Sequence, residues 1–487
     1  MVVGFSMGRV PILEQRITLI GIEPPTTPPK IKVTNHLTNR TNTFPEKDPQ
    51  HAILNNFVSR KVVFVSLNFR LGPMGFLSTG DSVLPGNLGL WDILLALKWV
   101  QINAHVFGGD PNNVLLMGHG SGASAASLLA LSPKAEGLFH KIMLMSGTAI
   151  TPGTVRDTAI NATWALDARL HCRSFNSSEL LECFKKQLRD EILDFEPDPD
   201  PDYDLFVPII DGEQGIISDD PESLALSRRK MPIMLGTTRD ESALQILLLK
   251  EKPVNLSEGL LISEAEQLMF SHFWYDAPTS RLATYYARQA MPVFLYSFDH
   301  VSENFETNWV FHGCDEIFLF ELERRFLVTR RDRNWQLDRR VTELFADMIV
   351  NFLRTDDPTP ESARLNFNWN SSSTGELDHL SVTDSPSMRV GFRWQAHIFW
   401  NKYGVYFCIF LIQNLRKTFC PTKICGQNRH LDSVDVGNMQ KNTLLDKQLG
   451  DYQLATWLLL FCSLFFFAIL VGLACYCTRK EPDEDEL

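Results

Sequence analysis

From Leu454 to Cys477 the sequence runs without a single charged residue. As a helix rising about 1.5 Å per residue, such a run crosses a hydrocarbon core roughly 30 Å thick. A core helix of that length would keep a polar face, so the segment reads as a transmembrane helix. Trp457 and Tyr476 stand near its two ends, where amphipathic rings favour the interface, and Arg479 and Lys480 follow as a stop-transfer pair. The expected topology is single-pass at the plasma membrane, with residues before Leu454 extracellular and the tail 478–487 cytosolic. The ending Asp483-Glu484-Asp485-Glu486-Leu487 resembles an ER-retention signal, but such signals are read in the lumen. A PDZ-type ligand at Asp485 and Leu487 stays open, as does a merely solvated acidic tail.

This topology needs a leader, yet Met1 to Gln15 holds no apolar h-region. Taken literally, the chain would be tail-anchored with its bulk in the cytosol; taken as truncated at its start, it has an extracellular domain, and that is the reading preferred. Asn-x-Ser/Thr acceptors at Asn39, Asn161, Asn176, Asn255 and Asn370 suit the secretory route. Cys172 and Cys183 bracket a short loop and are expected to form a disulfide. The formal net charge of -12 disfavours a nucleic-acid partner, because phosphate binding needs a basic stripe.

Ahead of the membrane run the pattern is α/β. Residues 1–59 read as irregular, since Glu23-Pro24-Pro25-Thr26-Thr27-Pro28-Pro29 fits neither helix nor central strand. Val62–Leu67, Val114–Met117, Ile142–Met145, Ile233–Gly236 and Val293–Phe298 are apolar runs of the kind buried on both faces of a parallel sheet. Trp91–Ile102 and the small-residue stretch Ala123–Leu131 read as helices between them, giving the alternation of an α/β domain with a mainly parallel sheet. The expected order is this domain over 60–412, a polar stalk over 413–453, the span over 454–477 and the tail.

The segments Asn68-Phe69-Arg70-Leu71-Gly72-Pro73-Met74-Gly75-Phe76-Leu77-Ser78, Pro85-Gly86-Asn87-Leu88-Gly89-Leu90-Trp91-Asp92 and Phe107-Gly108-Gly109-Asp110-Pro111 resemble the type-B carboxylesterase/cholinesterase family. Ser146-Gly147-Thr148-Ala149, Pro208-Ile209-Ile210-Asp211-Gly212 and Phe399-Trp400-Asn401 extend the resemblance over roughly residues 60 to 402. It implies an α/β-hydrolase fold. Active members carry a G-x-S-x-G elbow, in which a sharp strand-to-helix turn lifts a serine hydroxyl toward substrate. Here the elbow reads Gly118-His119-Gly120-Ser121-Gly122, and Gly120 stands at the nucleophile position without a hydroxyl. Ser121, turned away by about 100° on helical geometry, is the fallback nucleophile.

By the same resemblance Glu241, within Gly236-Thr237-Thr238-Arg239-Asp240-Glu241-Ser242, matches the acid, and His312, within His312-Gly313-Cys314-Asp315-Glu316, matches the base. No His-Gly-Gly-Gly-type loop precedes Val62 to supply oxyanion donors, and the early strands that would carry it read as missing. Members that lost the serine while keeping the fold include the neuroligins. The resemblance therefore implies a membrane-anchored adhesion or recognition protein with an extracellular protein partner and no cofactor or metal. A homodimer is open, and the alternative is a carboxylic ester hydrolase working through Ser121 or through segments outside this sequence.

Overall fold

The structure, a computed structural model, describes residues 17–22, 50–187, 192, 205–227, 231–243, 268–305, 307–320, 336–373 and 376–403. They lie within the unit Met1–Ile409. Among the described residues eight strands form one sheet: β1 (Ile17–Ile22), β2 (Val62–Leu67), β3 (Leu115–His119), β4 (Lys141–Met145), β5 (Ile233–Thr238), β6 (Val293–Phe298), β7 (His379–Val382) and β8 (Ser387–Arg389). Their order is β2-β1-β3-β4-β5-β6-β7-β8. The centre from β3 to β7 is parallel, while β1 pairs antiparallel with both β2 and β3, and β8 pairs antiparallel with β7.

Side-chain alternation decides what covers this sheet. Leu116, Ile142, Leu144, Ile233, Leu235, Val293 and Leu295 enter one hydrophobic cluster, and their chain neighbours Leu115, Met117, Met143, Met145, Met234, Phe294 and Tyr296 enter the other. A period of two thus sorts the apolar runs onto opposite faces, and both faces are covered, as parallel sheets require. The helices are α1 (Gln50–Asn56), α2 (Gly72–Phe76), α3 (Leu88–Asn103), α4 (Ser121–Leu131), α5 (Thr158–Arg169), α6 (Ser177–Phe184), α7 (Pro221–Ser227), α8 (Ala277–Arg288), α9 (Cys314–Phe320) and α10 (Gln336–Thr355). Helices α3, α4, α7 and α8 contribute to the first cluster, and α9 and α10 to the second.

The long sequence motifs serve this scaffold. Arg70 donates from its backbone N and Nε to Asp92 Oδ2 (3.0 and 2.8 Å) and from its guanidinium to Oδ1 (2.7 Å), tying the loop after β2 to α3. Asn87, at the start of α3, donates to the Ile209 carbonyl and accepts from the Ile209 N–H (2.8 and 3.0 Å).

The N-terminal reading needs correction. Residues 1–59 hold β1, which lies between β2 and β3, and α1, anchored when Asn56 Nδ2 donates to the Leu319 carbonyl at 2.7 Å. An early strand is therefore present where none was expected. Cys172 and Cys183 are disulfide-bonded with Cα atoms 5.9 Å apart, joining the end of α5 to α6. Asn161, Asn176 and Asn370 are exposed, whereas Asn39 and Asn255 lie outside the described residues. Among the described residues no helix is long and apolar enough to cross a membrane; the stalk, the run Leu454–Cys477 and the tail lie outside them.

Candidate functional site

At the carboxyl end of β3 the chain turns sharply into α4, and Gly120 makes the turn with φ 58° and ψ -125°. An L side chain there is strained, because Cβ crowds the neighbouring backbone at positive φ. The turn is pinned by the Gly120 N–H donating to the Met145 carbonyl at 2.8 Å. Its neighbours approach too closely for any side chain: a Cβ on Gly147 would sit 2.0 Å from the Gly120 carbonyl oxygen, and one on Gly118 2.2 Å from that of Gly122.

Glu241 and His312 arrive from the turn after β5 and the loop before α9, and the structure brings them together. His312 Nδ1 lies 2.6 Å from Glu241 Oε2, and the His312 N–H donates to the Glu241 carbonyl at 3.0 Å. Glu241 Oε1 accepts from the Thr238 N–H at 2.7 Å and the Ser146 hydroxyl at 2.5 Å. Ser146, itself at φ 55°, opens the Ser146-Gly147-Thr148-Ala149 motif, so that motif orients the acid. A carboxylate can only accept, so the His312 Nδ1 proton points to Glu241 and Nε2 faces the site. His312 Nε2 and Ser121 Oγ are buried, and among the described residues neither has a hydrogen-bond partner. They are consequently not bonded to each other.

The sequence reading missed the group around His312. The His119 ring lies 4.5 Å from the His312 ring, and that of Tyr275 lies 4.9 Å away on the same imidazole. His119 Nδ1 is 3.2 Å from Glu316 Oε2, and its Nε2 is 3.8 Å from Asp315 Oδ1. Asp315 is fully buried and accepts from the Tyr296 hydroxyl at 2.9 Å. Burial raises its pKa to about 7, reinforced by the charge of Glu241 and opposed by the Tyr296 hydrogen bond. His119 and Asp315 were both inside quoted motifs, but neither spacing nor periodicity signals a meeting across the sheet. No group of three or more His, Cys, Asp or Glu side chains among the described residues is arranged to hold a metal ion.

This elbow, followed by an acid and a histidine joined in chain order on a mainly parallel sheet, is the layout that the sequence resemblance implied. Residues 43–260 and 261–400 match the Carboxylesterase family. The chain belongs to the carboxylesterase family. Relatives within it include neuroligin-2 of Mus musculus, 42% identical over 163 residues, which cover 34% of this chain and 19% of that protein. Acetylcholinesterase of Danio rerio is 30% identical over 436 residues, covering 71% of this chain and 67% of the relative. Esterase FE4 of Myzus persicae is 36% identical over 197 residues, 39% of this chain and 34% of the relative. The matched part thus spans about a fifth of neuroligin-2. As a carboxylesterase-family protein the chain keeps the elbow backbone and the Glu241–His312 pair while Gly120 supplies no hydroxyl, and no acyl-enzyme forms through a glycine.

Proposed function

We propose that this chain is a membrane-anchored, non-hydrolytic carboxylesterase-family protein that binds an extracellular protein partner in cell adhesion or recognition, in the manner of a neuroligin. The reading is carried by Gly120: the elbow that presents a nucleophile in hydrolytic members presents none here. The alternative nucleophile, Ser121, has no hydrogen bond to His312 Nε2, the group that would take its proton. The similarity to neuroligin-2 and the uncharged run Leu454–Cys477 support the anchored, partner-binding role.

The test is expression of the full chain behind a cleavable secretory leader in cultured cells. Surface biotinylation should label the protein, cells displaying it should adhere to tissue cells more than mock-transfected cells do, and turnover of short-chain aryl esters and choline esters should equal the mock value. Removal of a triad nucleophile in serine hydrolases lowers turnover about 10⁶-fold, so background is the expected level. Ester turnover that disappears in a Ser121→Ala variant would overturn the reading in favour of a displaced nucleophile. A protein inaccessible at the surface would overturn the anchoring.

A further inference from the structure

Helix α4 starts inside the candidate site. The first bond of its ladder runs from the Ser124 N–H to the Gly120 carbonyl at 3.1 Å. The N–H groups of Ser121, Gly122 and Ala123 therefore stand ahead of that ladder, and Gly120 has no side chain to cap them. The helix carries no charged residue and is buried from Gly122 to Leu131, so water screens the positive end of its dipole little. A helix N-terminus alone marks no ligand, but two buried polar atoms accompany this one. Ser121 Oγ belongs to its first residue. His312, 8% exposed, has Nδ1 held by Glu241 and Nε2 facing the site, and the ring of His119, the residue before Gly120, lies 4.5 Å from its imidazole. Neither Ser121 Oγ nor His312 Nε2 has a hydrogen-bond partner among the described residues, and buried polar atoms in that state call for an occupant.

We propose that the emptied elbow binds a small carboxylate anion, held by the first-turn N–H groups of α4, the Ser121 hydroxyl and a proton on His312 Nε2. This rests on the non-hydrolytic reading of Gly120, since a serine there would occupy the place the anion takes. Helix N-termini bind anions through such N–H groups. Charge selects the class. A protonated His312 adds one positive charge beside the helix end, which matches a monoanion. Glu241 stands behind His312, and Glu316 and Asp315 lie 3.2 and 3.8 Å from His119, so an anion of two charges would meet these carboxyl groups with one cation to offset them. Tyr275, whose ring lies 4.9 Å from that of His312, is kept neutral by burial. A neutral imidazole that gives its Nδ1 proton to Glu241 has only a lone pair at Nε2, and a carboxylate can only accept. His312 therefore takes up a proton from solvent at Nε2 as the anion binds.

The experiment is titration calorimetry on the full chain in detergent at pH 8, with butyrate and with inorganic phosphate as probes. Heats measured in two buffers of different ionisation enthalpy report the protons exchanged. Butyrate should bind with net proton uptake, and phosphate at least tenfold more weakly. His312→Gln, which keeps a donor but does not titrate, should abolish the proton uptake. Ser121→Ala should weaken butyrate binding about tenfold, the loss of one hydrogen bond to a charged group. Thermal melting and the intact Cys172–Cys183 bond check that both variants fold. Binding without proton uptake, phosphate held as tightly as butyrate, or folded variants that bind as the wild type does would overturn the proposal. Absence of butyrate binding with silent esterase assays would overturn the anion site alone, whereas ester turnover that disappears in Ser121→Ala would overturn the non-hydrolytic reading and the anion site with it.

Discussion

His312 and Glu241 are fastened to each other twice, side chain to side chain at 2.6 Å and backbone N–H to backbone carbonyl at 3.0 Å. The second bond belongs to the main chain and would persist whatever the imidazole faces. With the Thr238 and Ser146 bonds to the other carboxylate oxygen, the pair is part of the packing around β5. Its retention opposite a glycine needs no catalytic explanation.

The turn at Gly120 should resist the residue that hydrolytic relatives place there. A serine held at φ 58° is strained by about 1–3 kcal/mol, so Gly120→Ser should lower the urea midpoint with an unchanged slope. An unchanged midpoint would show that the turn relaxes to accept a side chain.

A sharper loss is expected at Gly147, where a methyl group would collide with the Gly120 carbonyl oxygen rather than a movable side chain. Gly147→Ala should cost about 3 kcal/mol or more by equilibrium denaturation. Gly137 has φ 77° and nothing within 4 Å of a built Cβ, so Gly137→Ala should cost about 1–2 kcal/mol, the strain alone. Equal losses at the two sites would refute the close approach.

Asp315 gives the domain a pH signature. Its pKa rises from 3.8 unfolded to about 7 folded, chiefly through burial and then the charge of Glu241, so the folded state holds the proton more tightly. Stability from this group is full below about pH 4 and is lost as pH rises through about 7. Asp276 acts in the same sense, raised to about 6 by burial against the opposing charge of Arg393. Melting temperature measured from pH 4 to 7.5 should therefore fall more in the wild type than in Asp315→Asn, a difference on the order of a few kcal/mol at the upper end. Parallel curves would remove the buried acid from the account.

Asn176 separates glycosylation from structure. Its Oδ1 accepts from the Glu179 N–H at 3.0 Å, capping α6, and its Nδ2 donates to Glu179 Oε1 at 2.9 Å. Loss of such a cap costs about 1 kcal/mol. If the domain faces the secretory lumen, Ser178→Ala should remove one endoglycosidase-sensitive glycan and keep the cap, while Asn176→Ala removes both. Absence of a glycan at Asn161, Asn176 and Asn370 together would overturn the topology.

The sequence made the central sheet readable because its strands are buried on both faces and appear as unbroken apolar runs; Val293–Phe298 coincides with β6. The flanks were harder. In β1, Ile-Thr-Leu-Ile-Gly-Ile has the β-branched composition of a strand, but the proline run after it pointed to irregular chain, and its antiparallel place was not legible from order along the chain. Strands β7 and β8 are four and three residues long, too short for a periodic signal. Glu241 and His312 were found through motifs, whereas the role of Ser146 and the contacts of His119 with His312 exist only after the sheet brings distant segments together.

The conformation at Gly120 also fixes a direction of change. At that φ and ψ, exchanging serine for glycine releases strain, and the return exchange restores it. Where hydrolysis is not under selection, mutation runs downhill in free energy toward the hydroxyl-free elbow and uphill away from it. A serine at this turn would be held against its own backbone preference, so the glycine form of the elbow is expected to be the more stable of the two.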